Sequence, residues 1–432
     1  MKVMIIGSGG REHALAWKIA ENPKVSRIYC APGNGGTALE HKCENIDITD
    51  IKALISFAKA ESIDLTIVGP EEPLTNGIVD EFKKENLNIF GPDKRAAMLE
   101  GSKIFSKNFM KKYGVKTAEY ECFKDVKEAL NYINFCEYPV VIKADGLAAG
   151  KGVVICSTRE EAVKAIEDFM ISDIFKGAAL EIVIEEYLEG VEASILSITD
   201  GSTILPFLSA KDHKQIYEND MGPNTGGMGV IAPNPYVDDE VMKSFNEDIL
   251  LPTLRGIQSE GMDYKGIIFF GIMICRKGVY LLEYNVRMGD PETQAVLSIM
   301  ESDFLELMLS SLSESLHDTE IRWKQGSCCA IVAASGGYPA FYEKGYPIRI
   351  KENIPGKVFA AGVNLNNGIL ETSGGRVLCV TACGNDLTSA IEKAYEAVEF
   401  IDFKNMYYRK DIGKISENCE KAFKEQESYE LV

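Results

Sequence analysis

Three polar side chains near residue 285 have the types and spacing needed for phosphoryl-transfer chemistry. The stretch LLEYNVRMGDPETQ places Glu283 and Asn285 two positions apart after an apolar run, with Arg287 two positions further on. Alternate residues of a strand point to one face, so a strand here presents all three together. Carboxylate and amide oxygens suit Mg²⁺ bridging nucleotide phosphates, and an arginine neutralises a transferring phosphoryl group. We expect a metal–nucleotide site in preference to a purely structural use of these side chains.

A glycine-rich loop lies between two β-branched runs in VVIKADGLAAGKGVVIC. Lys143 ends the first run, and Lys151 lies in the loop with its glycines Gly146, Gly150 and Gly152. This is not a Walker A loop, because no Gly-Lys-Ser/Thr opens a helix. A glycine loop between antiparallel strands can fold over a triphosphate, which its N–H groups then bind. The alternative is a flexible hairpin with two solvated lysines.

An acidic strand end follows in IVIEEYLEG. Glu185, Glu186, Tyr187 and Leu188 suit a hinge that hydrogen-bonds adenine through the backbone, and Glu192 suits the ribose hydroxyls. The alternative is a charged strand end without a ligand.

The opening loop GSGGREH follows an apolar run and precedes a helical pattern. Backbone N–H groups at such a helix start can bind an anion. The dinucleotide fingerprint fails, because Glu12 stands at the third glycine and RIYCAPG ends without an acidic residue, so NAD or FAD binding is disfavoured. We expect Gly9, Gly10 and Arg11 to hold a phosphorylated small molecule. The alternative is a tight strand-to-helix turn that needs glycine only for packing.

Composition limits the class of protein that carries these motifs. The 432 residues are 46% hydrophobic and 26% charged, with a formal net charge of −19. These values predict a globular protein of several domains and disfavour nonspecific nucleic-acid or anionic-membrane partners. The longest apolar run, IIFFGIMIC, is far shorter than the roughly 20 residues of a membrane span. The N-terminal apolar run is too short for a signal peptide, and eleven scattered cysteines without CxxC indicate free thiols in a reducing cytoplasm.

The elements that must position these residues follow from the apolar pattern. The first hundred residues alternate strand-like and helical runs, which predicts a parallel, doubly wound sheet with ligands at the carboxyl ends of its strands. A lysine-rich helix, GSKIFSKNFMKKYGV, precedes the unit that holds the glycine loop. A strand-rich region follows, and short strands with glycine turns and one helix end the chain.

Taken in this order, these pieces resemble the ATP-grasp superfamily. GSGGREHALAW, LTIVGPEEPL, VIKADGLAAGKGV, DHK, GPNTGGMG, GDPETQ and SGGYP together are similar to the phosphoribosylamine–glycine ligase family within it. The likeness extends from Met1 to about Gly413. It implies an α/β ATP-grasp architecture with an N-terminal doubly wound parallel sheet domain, two ATP-sandwiching α+β subdomains and a small C-terminal β-rich domain. The expected limits are 1–102 for the N-terminal domain, 103–138 with 193–324 for the central subdomain, 139–192 for the lid subdomain and 325–432 for the C-terminal domain.

The resemblance also implies roles for individual residues. Lys103 and Lys143 would contact the ATP phosphates under a lid from Gly146 to Gly152. Residues 185–188 would form the adenine hinge, and Glu192 would bind the ribose. Glu283 and Asn285 would be the ligands of Mg²⁺ or Mn²⁺. The residues implied around the reacting groups are Asp212, Asn224, Gly226, Gly227 and Arg287. Those implied at the sugar or its phosphate are Gly9, Gly10, Arg11, Pro70 and Glu71.

The implied activity is ATP-dependent joining of glycine to 5-phosphoribosylamine through glycyl phosphate, which yields glycinamide ribonucleotide, ADP and phosphate for purine biosynthesis. We expect a cytoplasmic monomer or dimer with small-molecule substrates. Three rivals stay open, namely another ATP-grasp enzyme, an NAD-dependent oxidoreductase and a non-catalytic ATP sensor. Tyr284 and Met288 depart from the family pattern, but their side chains lie off the expected ligand face. Lys211 and Gln215 depart from it beside DHK, and these two residues receive no role. His213 is left with two interpretations, a catalytic base or a local structural residue.

Overall fold

The N-terminal hundred residues form the expected doubly wound parallel sheet. The computed structural model describes residues 1–146, 152–172 and 181–414. The elements of this part are β1 (Lys2–Gly7), α1 (Gly10–Ala20), β2 (Arg27–Pro32), β3 (Cys43–Asn45), α2 (Ile51–Glu61), β4 (Leu65–Val68), α3 (Glu71–Thr75), α4 (Ile78–Lys84), β5 (Ile89–Pro92) and α5 (Lys94–Gly101). The strands are parallel in the order β5-β4-β1-β2-β3. Helix α1 packs on one face, and α2, α4 and α5 pack on the other.

The strand order reverses at β1, whose neighbours are β2 and β4. Ligands of open α/β sheets bind in the crevice at such a reversal, outside the carboxyl ends of the strands. The loops that leave β1 and β4 there are residues 7–10 and 69–71. The fold therefore brings the GSGG and GPEE loops of the sequence to one edge.

The glycine loop belongs to a smaller antiparallel unit. Its elements are α6 (Lys103–Tyr113), β6 (Tyr120–Phe123), α7 (Val126–Tyr132), β7 (Val140–Ala144), β8 (Val153–Cys156), α8 (Arg159–Met170) and β9 (Ile182–Glu186). The strand order is β6-β9-β7-β8, and α7 and α8 share an apolar core with this sheet. The loop joins β7 to β8, and its residues 147–151 lie outside the described residues.

The central region extends the N-terminal sheet. Its elements are β10 (Val191–Thr199), β11 (Ile204–Pro206), β12 (Lys211–Asp212), β13 (Gln215–Tyr217), β14 (Met221–Asn224), β15 (Gly229–Ala232), α9 (Asp239–Phe245), α10 (Leu251–Glu260), β16 (Tyr264–Cys275), β17 (Gly278–Asn285), α11 (Glu292–Ile299) and α12 (Phe304–Leu312). Strand β16 holds the apolar run IIFFGIMIC and pairs with β10, with β17 and, at its start, with β5. One nine-stranded sheet therefore carries both the N-terminal crevice and the strand with Glu283.

The C-terminal region forms most of a six-stranded sheet. Its elements are β18 (Ser327–Ser335), β19 (Arg349–Ile350), β20 (Lys357–Ala360), β21 (Val363–Asn366), β22 (Ile369–Thr372), β23 (Arg376–Gly384), α13 (Leu387–Val398), β24 (Ile401–Asp402) and β25 (Met406–Tyr407). The sheet runs β12-β15-β18-β23-β20, with β25 also on β18. Strand β15, which follows GPNTGG, thus pairs with β18 beyond the expected limit at 325, and β12, which precedes GPNTGG, joins the same sheet through β15. The domain limits stay a prediction.

Candidate active site

One face of β17 and its continuation carries the three polar residues that open the sequence argument. Tyr284 and Val286 point into the apolar core, whereas Glu283, Asn285 and Arg287 stay partly exposed on the other side. Arg287 Nη2 donates to Asn285 Oδ1 at 3.2 Å. The predicted shared face is confirmed, and the metal and phosphoryl roles of these residues stay predictions.

Arg287 is clamped by two carboxylates from the N-terminal domain. Its Nε donates to Glu71 Oε2 at 3.1 Å, and its Nη2 lies 2.7 Å from Glu100 Oε1. Glu100 Oε2 also accepts the N–H of Val286 at 2.7 Å. Burial opposes the charged arginine, but the two carboxylates outweigh it and raise the pKa of Arg287 further. The clamp fixes the direction of the guanidinium, and no sequence motif had singled out Glu100.

Four cationic side chains act electrostatically on Glu283. Burial raises the pKa of Glu283, but Lys214, Lys103 and Lys143 outweigh burial and hold the pKa below the ordinary value. Lys214 Nζ also donates to Glu192 Oε2 at 2.6 Å. Glu283 is therefore kept ionised by these three lysines, and Arg287 on the same face adds to their effect. Lys214 lies in the DHK motif but had received no role from the sequence.

The donor set fits a metal ion held mainly by nucleotide phosphates. Among the described residues, no group of three or more His, Cys, Asp or Glu side chains is placed to hold an ion. Mg²⁺ is commonly bound by one or two carboxylates together with phosphate oxygens and water. Glu283 and Asn285 offer two hard oxygens, so the residues present match that mode of binding.

Glu185 binds two buried lysines through one carboxylate oxygen. Its Oε2 lies 2.9 Å from Lys143 Nζ and 3.1 Å from Lys107 Nζ. Lys107 also donates to Thr117 Oγ1 at 2.7 Å, and its burial lowers its pKa to about 8 despite the attraction of Glu185. Glu185 Oε1 is buried and has no hydrogen-bond partner in the structure. A buried acceptor without a partner is costly, so this oxygen is placed to accept a ligand donor.

Asp145 ties the start of the glycine loop to helix α6. Its Oδ1 accepts the N–H of Ile104 at 2.7 Å, and its carbonyl oxygen accepts the N–H of Lys103 at 3.1 Å. Asp145 therefore satisfies two N–H groups at the helix start, one through its carboxylate and one through its carbonyl, and the helix dipole favours the negative charge of the carboxylate there. Gly146 follows directly, and the carbonyl of Gly152 accepts the N–H of Ala144 at 2.8 Å. Residues 147–151 of the expected lid, among them Gly150 and Lys151, lie outside the described residues.

The expected adenine hinge leaves β9 beside β6. Glu186 exchanges backbone contacts with Glu119: its N–H donates to the Glu119 carbonyl at 3.0 Å, and its Oε1 accepts the Glu119 N–H at 2.9 Å. Tyr187 is 40% exposed and Leu188 is half-buried. The backbone of residues 187–188 is thus near the surface beside the buried carboxylate of Glu185.

Asp212 presents a second buried acceptor without a partner, its Oδ1 atom. Burial and the nearby charge of Glu292 raise the pKa of Asp212 well above its ordinary value, although Lys214 opposes them. Gly227 lies against it with φ +112°, and a Cβ there would come within 2.6 Å of Asp212 Oδ1 and 2.5 Å of Pro291. The site is therefore narrow, acidic and in need of a cation or hydrogen-bond donor.

The GPNTGG loop is fixed by residues of the C-terminal sheet. Arg376 Nη1 donates to the carbonyls of Gly226 at 2.5 Å and Asp290 at 2.6 Å. Tyr338 accepts the N–H of Gly226 at 3.2 Å. Asn224 ends β14, opposite Gln215. Tyr338 lies inside the motif SGGYP, and Arg376 begins β23, yet the sequence alone had not connected either residue with the loop.

The opening loop already has protein carboxylates at its N–H groups. Gly9 N–H donates to Glu12 Oε2 at 2.5 Å, and Arg11 N–H donates to Asp290 Oδ2 at 3.3 Å. A Cβ at Gly10 would come within 2.6 Å of Gln294. These two N–H groups therefore already bind carboxylates of the chain itself. They are not free to bind a substrate phosphate, so the expected phosphate contact would need other groups of the loop.

The side chain of Glu12 fills the space at the carboxyl ends of β1 and β4. A Cβ at Gly7 or Gly69 would meet its atoms at 2.6 Å and 2.0 Å, respectively. In dinucleotide-binding folds this helix start carries the pyrophosphate. A carboxylate there repels a pyrophosphate, which agrees with the expectation against NAD or FAD.

Arg11, Glu71 and Pro70 lie at the crevice as expected. Arg11 is 8% exposed, and its Nη1 donates to the carbonyl of Met288 at 2.9 Å. Burial opposes the charge of Glu71, but Arg287 and Arg11 outweigh it and lower the pKa of Glu71. Pro70 is the N-cap residue of α3, which begins at Glu71. The structure thus brings the opening loop and Arg287, which follows β17, to the same edge of the N-terminal sheet.

His213 uses both ring nitrogens within the fold. Nδ1 lies 3.1 Å from the carbonyl of Gly229, and Gly413 N–H donates to Nε2 at 3.2 Å. Burial, together with Arg409 and Lys211, lowers the pKa of His213 to about 4. The neutral ring joins β15 to the end of the described chain, which favours the structural interpretation over the catalytic one.

Comparison with known proteins agrees with this arrangement. Models of phosphoribosylglycinamide synthetase match the chain in three parts: the N domain at residues 1–100, the ATP-grasp (A) domain at 101–293 and the C domain at 328–415. Phosphoribosylamine–glycine ligase from Clostridium acetobutylicum is 62% identical over 414 residues, covering 96% of this chain and 100% of that protein. The enzyme of the same name from Fusobacterium nucleatum is 54% identical over 420 residues, covering 96% and 99%.

Solved structures place the fold in the same group. The crystal structure of phosphoribosylamine–glycine ligase from Thermotoga maritima superposes with a TM-score of 0.85 at 35% identity, covering 96% of this chain and 100% of that one. The biotin carboxylase domain of 2-oxoglutarate carboxylase from Hydrogenobacter thermophilus, solved with MgADP, reaches 0.73 at 16% identity, covering 94% and 91%, and so shares the fold alone. With an ATP-grasp fold and sequence similarity over nearly its whole length, the chain belongs to the phosphoribosylglycinamide synthetase family.

Proposed function

We propose that this chain is an ATP-dependent ligase that joins glycine to 5-phosphoribosylamine and releases glycinamide ribonucleotide, ADP and phosphate in cytoplasmic purine biosynthesis. The observation that carries the proposal is the set of cationic side chains that keeps Glu283 ionised, together with Asp212 Oδ1, which is buried and has no hydrogen-bond partner. Lys214 acts electrostatically on both carboxylates. Such a set of cations suits a triphosphate, and an unpartnered carboxylate oxygen suits a small ammonium group.

Nucleotide binding rests on the two lysines nearest the glycine loop. Lys143 and Lys103 would contact the phosphates, and Glu185 Oε1 would accept a donor from adenine, such as its amino group. Glu283 and Asn285 would hold Mg²⁺ or Mn²⁺, and the bound ion would supply positive charge that offsets the negative charge of the phosphates.

Glycine would bind with its ammonium group at Asp212. The carboxylate accepts from that group and recovers its ionised form, because a cation offsets the burial that raises its pKa. The space beside Asp212 is narrow, since a Cβ placed at Gly227 would collide with Asp212 and Pro291. A pocket of that size favours an amino acid without a side chain, and Arg287 would face the carboxylate that reacts.

The chemistry requires no protein nucleophile. A carboxylate is a poor acyl donor, because its oxygen is a poor leaving group. Transfer of the γ-phosphoryl group of ATP to the glycine carboxylate gives glycyl phosphate, and the amine of phosphoribosylamine then displaces phosphate from the acyl carbon. The residues of this chain orient the reactants and offset negative charge, and closure over the site excludes the water that would hydrolyse the acyl phosphate.

The sugar would lie at the crevice of the N-terminal sheet. Glu71 is an ionised acceptor at that edge and suits ribose hydroxyl groups, with Pro70 and the GSGG loop beside it. The N–H groups of Gly9 and Arg11 already donate to carboxylates of the chain, so other groups of these loops would bind the phosphate of phosphoribosylamine.

The test is the dependence of product formation on each substrate. With ATP, Mg²⁺ and freshly generated 5-phosphoribosylamine, release of ADP should require glycine and match the yield of glycinamide ribonucleotide. Alanine should be much poorer, because one extra methyl group in a tight pocket costs about 1–3 kcal/mol. Equal rates with alanine would contradict the glycine pocket, and ADP release without glycine would contradict the reaction.

A further inference from the structure

Two cysteine thiols face each other across the C-terminal sheet, far from the groups discussed so far. Cys328 of β18 and Cys383 of β23 are directly opposed in the antiparallel register, and their sulfur atoms are 3.0 Å apart. Directly opposed residues of antiparallel strands have Cα atoms about 4.5–5.5 Å apart, within the range that a disulfide spans. Closing a bond between them therefore needs little movement of the backbone.

The two thiols differ in environment. Cys328 is fully buried, and burial together with the neighbouring thiol raises its pKa well above the ordinary value. Cys383 is partly exposed at the end of its strand, and its hydrogen-bonding interaction with the Cys328 thiol lowers its pKa against the effect of burial, with help from Lys324 and Lys393. A partly exposed thiol with thiolate character is the one that meets an oxidant first, and a buried neighbour then resolves it.

We propose that Cys328 and Cys383 are a redox-reversible pair that closes to a disulfide with hydrogen peroxide and reopens with thiol reductants. The Cys383 thiolate attacks one peroxide oxygen, the O–O bond breaks, and the leaving hydroxide takes up the thiol proton as water. Cys328 sulfur then attacks the sulfenic sulfur of Cys383, the S–O bond breaks, and hydroxide leaves with the Cys328 proton as a second water. Two thiols and one peroxide thus give one disulfide and two waters.

The bond would link residues 55 positions apart and hold the beginning of β18 to the end of β23. A cross-link that closes so long a loop restricts the unfolded chain and stabilises the fold. The opposite ends of the same strands carry Arg376 and the segment that leads to Tyr338, which hold the GPNTGG loop. The pair would therefore act on the stability of the sheet that supports that loop, and not on the reacting groups.

The experiment uses the full chain, treated with graded hydrogen peroxide, then denatured and alkylated so that the buried Cys328 is also reached, and digested without reductant for mass spectrometry. We expect a peptide pair joined through Cys328 and Cys383 that has lost two hydrogen atoms and is separated by dithiothreitol. Cys379→Ala, a change in the same strand, should keep the link, and Cys383→Ser should abolish it. In Cys328→Ala, the sulfenic acid on Cys383 should persist and be trapped by dimedone.

Thermal unfolding gives an independent measurement. Peroxide should raise the melting temperature of the wild type and of Cys379→Ala by several degrees, reversibly with dithiothreitol, and should leave Cys383→Ser unchanged. The proposal is overturned if Cys328 remains alkylatable after Cys383 has oxidised, or if the link joins other cysteines. It is equally overturned if Cys383→Ser shows the same thermal shift as the wild type.

Discussion

Lys143 donates a hydrogen bond of 2.9 Å to Glu185 across the strands β7 and β9. Val141 is the direct partner of Glu185, so Lys143 lies diagonally opposite on the same face of the sheet. Lys107 reaches the same carboxylate oxygen at 3.1 Å. One carboxylate thus offsets two buried ammonium groups, and the remaining positive charge faces the expected phosphates.

Removing the charge of Glu185 should weaken nucleotide binding. In Glu185→Gln the two lysines lose their counter-charge, so Lys107 sheds its proton and Lys143 loses its fixed position. We expect affinity for ATP to fall about tenfold or more, which is about 1.4 kcal/mol. Calorimetric titration with Mg²⁺ and a non-hydrolysable ATP analogue measures the loss. Glu121→Gln, at an exposed position of the neighbouring strand β6, is the matched control and should bind normally. If Glu185→Gln bound the nucleotide as tightly as this control, Glu185 would not belong to the nucleotide site.

Glu283→Gln should lose turnover while the fold is kept. A neutral amide cannot supply the charge that holds a divalent ion between phosphates, so we expect turnover to fall about 10²-fold or more. Steady-state rates over a magnesium and manganese titration give the result, with circular dichroism as the check on folding. Excess metal should restore the rate only in part. A folded variant with near-normal turnover would argue against Glu283 as a metal ligand.

Arg376→Lys should damage catalysis through the GPNTGG loop. A lysine lacks the planar fork with which Arg376 holds the carbonyls of Gly226 and Asp290 at once. We expect kcat/KM for glycine to fall roughly 10–100-fold, because a misplaced loop no longer orients the reactants. Arg349→Lys, on the exposed strand β19, should be silent. Both variants behaving like the wild type would mean that Arg376 does not position the loop.

His213 should make the fold sensitive to acid. Its pKa is about 4 in the fold and about 6.5 when unfolded, so the unfolded chain takes up a proton first as pH falls. Its contribution to stability is complete above about pH 6.5 and is lost progressively towards pH 4. His213→Gln removes this loss. The difference in unfolding free energy between the wild type and the variant should therefore fall by about 2 kcal/mol from about pH 7 to about pH 4.5.

Urea unfolding at several pH values measures that difference. The other titrating groups near the ring, Arg409, Lys211 and Asp220, are the same in both proteins and largely cancel. Parallel pH curves for wild type and variant would mean that folding does not lower the pKa of His213, contrary to its burial and its two hydrogen bonds.

Local patterns in the sequence predicted the architecture and the main polar face well. Alternating strands and helices led directly to the parallel sheet, and the two-residue spacing of Glu283, Asn285 and Arg287 led to their common face, because both patterns depend on neighbours along the chain. The pairing of β15 with β18, which also brings β12 into the C-terminal sheet, was not predicted, because it joins residues more than ninety positions apart and has no local signal.

The same limit applies to the site. Glu100, Lys107 and Arg376 act through partners that are distant in the chain or buried inside a helix pattern, and their residue types fit ordinary surface positions equally well. The carboxylates that occupy the N–H groups of the opening loop also come partly from afar, since Asp290 lies 279 residues from Arg11. Sequence spacing identifies which side chains share an element, and the tertiary fold decides which charges meet.

The fate of the glycine oxygen tests the proposed reaction most directly. Activation of the carboxylate as glycyl phosphate requires one of its oxygens to leave with the phosphate. Glycine labelled with ¹⁸O in the carboxylate, supplied with ATP, Mg²⁺ and 5-phosphoribosylamine, should therefore yield inorganic phosphate that carries one label for each glycinamide ribonucleotide formed. Unlabelled phosphate, formed in step with the product, would contradict an acyl phosphate and with it the mechanism proposed for this site.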